Sequence, residues 1–430
     1  MTDNNIVVGV VGLGYVGLPL AKSFLQAGVK VAGFDLDESK VKNLNKGDSP
    51  LEIFPSSYLR EALSNKQFQA HSSFLQIKKC DAVIICVPTP LDQFHQPDLS
   101  SVVSSINSIT KHLKKGALVS LESTTYPGTS SEIIKPILES QGLKVGKDIF
   151  LCYSPEREDP GNHQYTLKNT PKVISGYTKA CLSRSKKIYS LVCDTLVPVS
   201  SLEAAELCKL LENIQRSVNI GLMNELRLFA EKTKINLFEV IDAASTKPFG
   251  FTPYYPGPGV GGHCIPIDPF YLTYKAREYG IHTRFIELAG EVNEAMPDYI
   301  IRRVGEVLNL RKKSFSNSKI LCIGLSYKKN VGDVRESPSV QIFDKLLNLG
   351  AQAAYHDPFV PSFPKMRKYN IKSKSVPLTE KSIKKYDLVL INTLHDQIDA
   401  GVLYQHSKII VDSAGSLRTL DDPKKKIILV

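Results

Sequence analysis

The sequence predicts an α/β protein: two doubly wound domains joined by a helical central domain with a long connecting helix. Three observations predict it. Short apolar runs alternate with helical stretches over residues 1–200 and again over residues 311–430. Between Ser201 and Lys234 there is no proline and one glycine, Gly221, while leucines recur at three- and four-residue steps. Finally, Asp81-Ala-Val-Ile-Ile-Cys86 is echoed by Asp387-Leu-Val-Leu-Ile-Asn392, although buried strands resemble one another and the echo alone does not establish a repeat. The expected domains are 1–200, 201–310 and 311–430.

In chain order, Ile6 to Val11 is an apolar run of the buried-strand type. Glycines follow, then a helix from Gly17 to Ala27 that Gly28 ends. Val29 to Asp35 reads as the next strand. Asp81 to Val87 is another, stopped by Pro88 and Pro90. Ala117 to Glu122 and Ile149 to Tyr153 complete this part. On the long helix, Leu202, Leu207, Leu210, Leu211, Ile214, Val218, Leu222 and Leu226 suit a domain connector or a dimer face. The same pattern fits a plain core helix. Lys247 to Pro269 is dense in glycine and proline and excludes regular structure. Helices follow to Leu310, Ser314 to Ser318 reads as a linker, and strands return at Lys319–Leu325, Gln352–Tyr355, Asp387–Asn392 and Lys408–Ser413.

Composition narrows the class. The 430 residues are 42% hydrophobic and 23% charged, as in an ordinary globular protein. No apolar run reaches the ~18–20 residues of a membrane span. Met1 to Gly17 carries no Lys or Arg ahead of its apolar stretch, unlike a secretory signal. Eight cysteines without a CxxC pair argue against a disulfide framework and a zinc site, so no metal is expected and cytoplasmic residence is. The net charge of +11 is uneven. Residues 1–310 hold 33 Lys+Arg and 32 Asp+Glu, whereas residues 311–430 hold 21 and 11. Such asymmetry fits a solvated face, an anionic small ligand or nucleic acid. No nucleic-acid motif accompanies it, so no nucleic acid is expected.

Gly12-Leu-Gly14-Tyr15-Val16-Gly17 fits GxGxxG between a strand and a helix, with Asp35 18 positions after Gly17. Gly12 suits the tight turn, Gly14 the approach of a pyrophosphate and Gly17 helix–strand packing, with the helix N-terminus facing the phosphates. Asp35 suits the adenosine ribose hydroxyls and would repel a 2′-phosphate, which favours NAD over NADP. The alternative is an ordinary glycine turn. Pro88-Thr89-Pro90 stands where ligand loops lie in a Rossmann-like sheet, or merely stops a strand.

Pro258-Gly259-Val-Gly261-Gly262-His263-Cys264-Ile-Pro-Ile-Asp268 places one cysteine in a glycine-rich loop. The glycines let backbone N–H groups approach an anion or developing oxyanion, beside which a thiol can ionise and attack a carbonyl. Cys80, Cys86, Cys152, Cys181, Cys193, Cys208 and Cys322 read as inert core residues, with Cys86, Cys152 and Cys322 inside strands. His263 reads as structural. A nucleophilic cysteine beside a dinucleotide site suggests alcohol oxidation through an aldehyde and a thioester to an acid. Lys209 and Asn213, four apart, share a helix face, and Glu156 follows a strand; by themselves these three carry no role.

The motifs Gly12–Gly17, Glu122-Ser-Thr-Thr125-Tyr-Pro-Gly-Thr129, Ser154-Pro-Glu156-Arg157, Lys209-Leu-Leu-Glu-Asn213, Gly259–Cys264 and Gly332-Asp-Val-Arg335-Glu-Ser-Pro338 stand in one order. In these the chain resembles the UDP-glucose/GDP-mannose dehydrogenase family over nearly its whole length. The resemblance implies four-electron oxidation of a nucleotide-sugar C6 alcohol by two NAD⁺ without metal. It implies Cys264 as thiohemiacetal and thioester nucleophile, and Lys209 with Asp268 as the pair handling the alcohol proton through a water. It implies Asn213 as oxyanion donor, Thr125 as the residue positioning water and Glu156 as the aid to thioester hydrolysis. Tyr15, Val16, Pro88, Thr89 and Thr125 fall with the cofactor. Arg157, Gly259, Gly261, Gly262, Lys328 and Arg335 fall with the substrate, and a homodimer is implied through the long helix.

Ile267 stands where UDP-glucose enzymes often carry lysine, His263 where a small residue often precedes their cysteine, and no arginine lies between Arg227 and Arg277. Glu156-Arg-Glu-Asp-Pro-Gly-Asn162 and Gly262-His-Cys-Ile-Pro-Ile-Asp-Pro269 instead resemble the branch acting on UDP-N-acetylhexosamines, nearest the UDP-N-acetylglucosamine 6-dehydrogenases of bacterial polysaccharide synthesis. UDP-N-acetylmannosamine and UDP-glucose are the rival substrates. A non-catalytic NAD- or UDP-sugar-binding regulator is the rival class.

Overall fold

The computed structural model describes residues 6–51, 54–92, 94–157, 164–262, 264–366 and 368–430. Two compact units divide the chain: Met1–Glu212 with Phe270–His282, and Asn213–Pro269 with Thr283–Val430.

In the first unit, strands β1 (Val7–Val11), β2 (Lys30–Phe34), β3 (Phe68–His71), β4 (Ala82–Ile85), β5 (Leu118–Leu121) and β6 (Phe150–Tyr153) form one sheet in the order β3-β2-β1-β4-β5-β6. Every pairing is parallel. Alternation sends neighbouring residues to opposite faces. Val8, Val10 and Ile84 enter one core with Leu20 and Phe24, while Val11, Val83 and Ile85 enter a second with Ile106 and Ile109. Both faces are covered, which is why these strands read as unbroken apolar runs. A separate parallel pair, β7 (Lys172–Ile174) and β8 (Leu196–Pro198), lies outside this sheet.

The second unit holds β9 (Lys319–Ile323), β10 (Gln352–His356), β11 (Leu388–Ile391), β12 (Ile410–Asp412) and β13 (Ile427–Leu429) in the order β10-β9-β11-β12-β13, again parallel. The echo seen in sequence is a repeat in wiring. Val7 N–H donates to Asp81 in one sheet and Lys319 N–H to Asp387 in the other, and Lys114 and Lys408 pair with those same carboxylates. Gly12 N–H donates to Phe34 O and Gly324 N–H to His356 O. Leu13 N–H then meets Asp35, and Leu325 N–H meets Asp357.

The helix Leu202–Thr233 runs 32 residues, as the leucine spacing predicts. Its leucines divide between faces: Leu202, Leu210 and Ile214 are buried, while Leu207, Leu211, Leu222 and Leu226 are exposed. Within the second unit Arg227 pins this helix, donating to Gly257 O at 3.0 Å and Ser413 O at 2.7 Å. The helix Arg284–Leu310 also belongs here and carries Pro297 inside it.

The expected elements hold with ends shifted by a residue or two. Cys86 is a correction: β4 stops at Ile85, so Cys86 lies just beyond the strand, though still buried. The sequence reading missed β3, β7, β8 and β13, which are three or four residues long, too short for a periodic signal. Among the described residues no helix is long and apolar enough to cross a membrane.

Candidate active site

The glycine motif is fixed from within. Gly12 adopts φ +93°, and a Cβ there would lie 2.7 Å from the Cys86 carbonyl oxygen. A Cβ on Gly17 would lie 1.8 Å from the Gly12 oxygen. A Cβ on Gly14 would meet nothing within 4 Å, so that side of the turn is open. The helix Gly17–Gln26 starts after Val16 with no side-chain cap and no acidic residue in its first turn, leaving an anion-favouring N-terminus beside the turn. Tyr15 is exposed. These residues fit a dinucleotide pyrophosphate. Asp35 Oδ2 accepts from Leu13 N–H at 2.9 Å and from Lys40 Nζ at 2.7 Å, and Oδ1 accepts from Asp37 N–H at 3.0 Å. Lys40 was not anticipated; its only signal was its place five residues after Asp35.

Thr89 is buried between exposed Pro88 and half-buried Pro90, donating to Thr124 O at 2.9 Å, and its own carbonyl accepts from Tyr271 OH. The next residue, Thr125, is fully buried, 2.5 Å from Thr129 Oγ1. Thr129 donates to Tyr126 O, so Thr125 is the donor between the two hydroxyls. Glu206 on the long helix accepts from Gly128 N–H at 2.7 Å and Ser130 N–H at 2.9 Å, clamping this turn; sequence reading missed it because a helical glutamate carries no signal.

Lys209 Nζ donates to Glu156 O at 2.5 Å. The Glu156 side chain is not the solvated acid its loop position suggests. It is 9% exposed, with Oε1 accepting from Arg157 N–H at 2.6 Å and Oε2 3.8 Å from Lys172 Nζ. Arg157 donates to Pro171 O at 2.8 Å and pairs with Glu212. Lys172 was also missed, since nothing in the sequence marks a lysine on a short strand as buried. Residues 158–162 and His263 lie outside the described residues.

In the second unit, Cys264 is exposed, whereas Cys322 is buried. Burial pushes the thiols of Cys80, Cys152, Cys193 and Cys322 up to about 12, which makes them inert. The chain turns back at once: Ile267 and Asp268 N–H donate to Cys264 O at 3.1 and 2.8 Å. Asp268 and Asn213 are both buried, and Asn213 Nδ2 donates to Asp268 Oδ2 at 2.5 Å. Glycine is required before the cysteine by backbone as well as by crowding, since Gly259 and Gly262 adopt φ +125° and +87°. Cβ atoms on Gly261 and Gly262 would lie 2.6 and 2.8 Å from Tyr327, and one on Gly259 3.1 Å from Asn293 O. The Gly262 N–H, expected to approach an anion, instead donates to Arg335 O at 3.2 Å. That bond ties the cysteine loop to the Gly332–Pro338 motif. The Arg335 side chain is held by Asp333 at 2.6 Å, and Lys328 is half-buried.

The structure thus gathers Gly12, Gly14, Gly17 and Asp35, then Thr89 with Thr125, then Glu156, Arg157 and Lys209, all in the first unit. It gathers Asn213, Cys264, Asp268 and the Gly259–Gly262 turn with Arg335 in the second. Among the described residues no group of three or more His, Cys, Asp or Glu is arranged to hold a metal ion.

Residues 6–193 match the NAD binding domain of the UDP-glucose/GDP-mannose dehydrogenase family, 203–295 its central domain and 321–419 its UDP binding domain. The chain is 37% identical over 396 residues, 91% of each protein, to a UDP-N-acetyl-D-glucosamine 6-dehydrogenase of Pseudomonas aeruginosa. It is 35% identical to a UDP-N-acetyl-D-mannosamine dehydrogenase of Escherichia coli over 78% of this chain and 81% of that one. A solved UDP-D-ManNAc dehydrogenase from Pyrococcus horikoshii superimposes with TM-score 0.87 at 30% identity over 98% of both chains. The chain belongs to the UDP-glucose/GDP-mannose dehydrogenase family, and is an NAD-dependent oxidoreductase acting on nucleotide sugars.

Proposed function

We propose that this protein oxidises the C6 alcohol of UDP-N-acetylglucosamine to the carboxylate, taking four electrons per sugar. The observation that carries this reading is the exposed Cys264 on a turn whose other end is the buried Asn213–Asp268 pair. Bound NAD supplies a hydride acceptor, held by the Gly12–Gly17 turn and Asp35.

The remaining chemistry falls to side chains. Lys209 and Asp268, through a water, take the hydroxyl proton as the alcohol becomes an aldehyde. The Cys264 thiolate adds to the aldehyde carbon, giving a thiohemiacetal whose oxygen receives the second Asn213 N–H, the first being committed to Asp268. Loss of the second hydride leaves a thioester. Water, placed by Thr125 and deprotonated by Glu156, attacks it; the C–S bond breaks and the acid leaves with Cys264 restored. Lys328 and Arg335 engage the UDP moiety, and Arg157 with Gly259, Gly261 and Gly262 shape the sugar site. The surplus of 10 positive charges over residues 311–430 (21 basic against 11 acidic) steers the anionic substrate. We further propose a cytoplasmic homodimer paired through exposed Leu207, Leu211, Leu222 and Leu226, with regions 1–200, 201–310 and 311–430 serving cofactor, pairing and UDP.

The likeness to mannosamine dehydrogenases supports a second reading, UDP-N-acetylmannosamine as the preferred substrate. The test is a panel of UDP-N-acetylglucosamine, UDP-N-acetylmannosamine and UDP-glucose compared by kcat/KM. The glucosamine should lead by about tenfold or more, roughly 1.4 kcal/mol of transition-state binding. A lead by either rival overturns the assignment.

A further inference from the structure

We propose that Lys172 is a positioning residue for the hydrolytic carboxylate, holding Glu156 as one arm of a buried Glu122–Lys172–Glu156 ion triad. The inference rests on the reading of Glu156 given above and deepens it.

Lys172 lies on β7 with its side chain 2% exposed. Its ammonium stands 3.3 Å from Glu122 Oε2, at the end of β5, and 3.8 Å from Glu156 Oε2, just past β6. It also donates to the carbonyl of Pro155, the residue before Glu156, at 3.4 Å. The adjacent Pro171 O receives Arg157, and Ser154 Oγ donates to Val173 O. β7 therefore grips Ser154–Arg157 from both sides of the carboxylate. Behind Lys172 the network closes: Tyr189 OH, from the helix Lys179–Tyr189, donates to Glu122 Oε1 at 2.6 Å and meets Ser120 Oγ at 2.7 Å.

Such an arrangement is costly unless it serves something. Two carboxylates and one ammonium in a dry site leave one negative charge in excess when all are ionised. Burial, with the Glu156 charge added to it, pushes the Glu122 carboxyl up to about 7, against the pull of Lys172. Burial would lower the Lys172 ammonium, but the two carboxylates outweigh it and raise it. The other groups facing the triad stay neutral: Tyr189 is raised by burial, and the Cys152 and Cys193 thiols are pushed up to about 12. Lys209 is a second cation close by, on the Glu156 carbonyl. Lys172 thereby holds the Glu156 carboxylate in place, beside a Glu122 carboxyl that burial inclines to keep its proton.

The experiment follows covalent thioester on Cys264 by intact mass after quenching, alongside the pH profile of its hydrolysis. Glu156→Gln should accumulate thioester; if it does not, Glu156 is not the hydrolytic base, and this inference falls with that reading. Given accumulation in Glu156→Gln, Lys172→Met should also accumulate it, with hydrolysis at least about tenfold slower and the first phase of NADH formation within twofold of wild type. Glu122→Gln keeps the side-chain size and the Tyr189 bond but fixes this arm of the triad as neutral at every pH. The step near pH 7 that the ionisation of Glu122 imposes on wild-type hydrolysis should therefore be absent from its profile, with the acid limb unmoved. Wild-type hydrolysis in Lys172→Met overturns the inference while leaving the role of Glu156 intact. If Lys172→Met does not fold, the Glu122→Gln profile decides, and a profile that keeps the wild-type step near pH 7 is the contradicting result.

Discussion

Asn213 donates from Nδ2 to Asp268 Oδ2 at 2.5 Å, with both side chains buried. The bond joins the long helix to the far end of the turn that begins at Cys264, whose carbonyl accepts from Asp268 N–H at 2.8 Å. Asn213→Ala strands a buried carboxylate oxygen and removes an oxyanion donor. It should lower kcat by about 10²–10³-fold and stability by about 1–3 kcal/mol. A variant with wild-type kcat would take Asn213 out of the chemistry.

The glycines of the cofactor turn should separate by experiment. Gly12→Ala places a Cβ 2.7 Å from backbone at φ +93° and should destabilise the fold by about 1–3 kcal/mol. Gly14→Ala meets nothing within 4 Å and should fold normally while raising the KM for NAD about tenfold or more. Paired melting curves and NAD titrations check this; equal NAD affinity in Gly14→Ala would mean that the open face is not the pyrophosphate site.

Glu206 tests whether the turn carrying Thr125 is clamped from the long helix. Glu206→Ala orphans the N–H groups of Gly128 and Ser130, at about 1–3 kcal/mol each. Glu206→Gln is expected to restore one bond only, because its amide NH₂ faces an N–H donor. Melting temperatures should therefore rank wild type, Gln, Ala, and a Gln variant equal to wild type would contradict the clamp.

Acid sensitivity should centre on Asp357. Burial pushes its carboxyl up, but the His395 ring N–H and the N–H groups of Ser326 and Leu325 outweigh burial and hold it at about 2, below its ordinary 3.8. The imidazole Nδ1 accepts from Asn330 N–H, which places the ring proton on Nε2, 3.1 Å from Asp357. A depressed folded value stabilises fully above the unfolded value and is lost as pH falls from about 3.8 through about 2, worth about 2 kcal/mol. Unfolding of wild type and Asp357→Asn between pH 5 and 2 should converge as pH falls. A constant gap would refute the assignment.

The glycine turn and Asp35 were legible because their logic is local: Gly12, Gly17 and Asp35 are each fixed by backbone within one βαβ unit. The long helix was legible for the same reason, through a period carried over 32 residues. Lys172, Glu206 and the burial of Glu156 were not, since each depends on strands far apart in sequence meeting around one charge. Gly262 shows a subtler limit. Its glycine character was read correctly, but the cause is a φ of +87° with the Tyr327 ring beside it, and its N–H belongs to Arg335. Spacing shows that a side chain is excluded without showing what excludes it.

The central claim is a four-electron oxidation through a Cys264 thioester. The most direct test is the number of NADH formed per UDP-N-acetylglucosamine consumed to completion, in wild type and Cys264→Ser. The account predicts two NADH per sugar in wild type, with complete oxidation abolished in Cys264→Ser. One NADH per sugar in wild type, or two at an undiminished rate in Cys264→Ser, would contradict it.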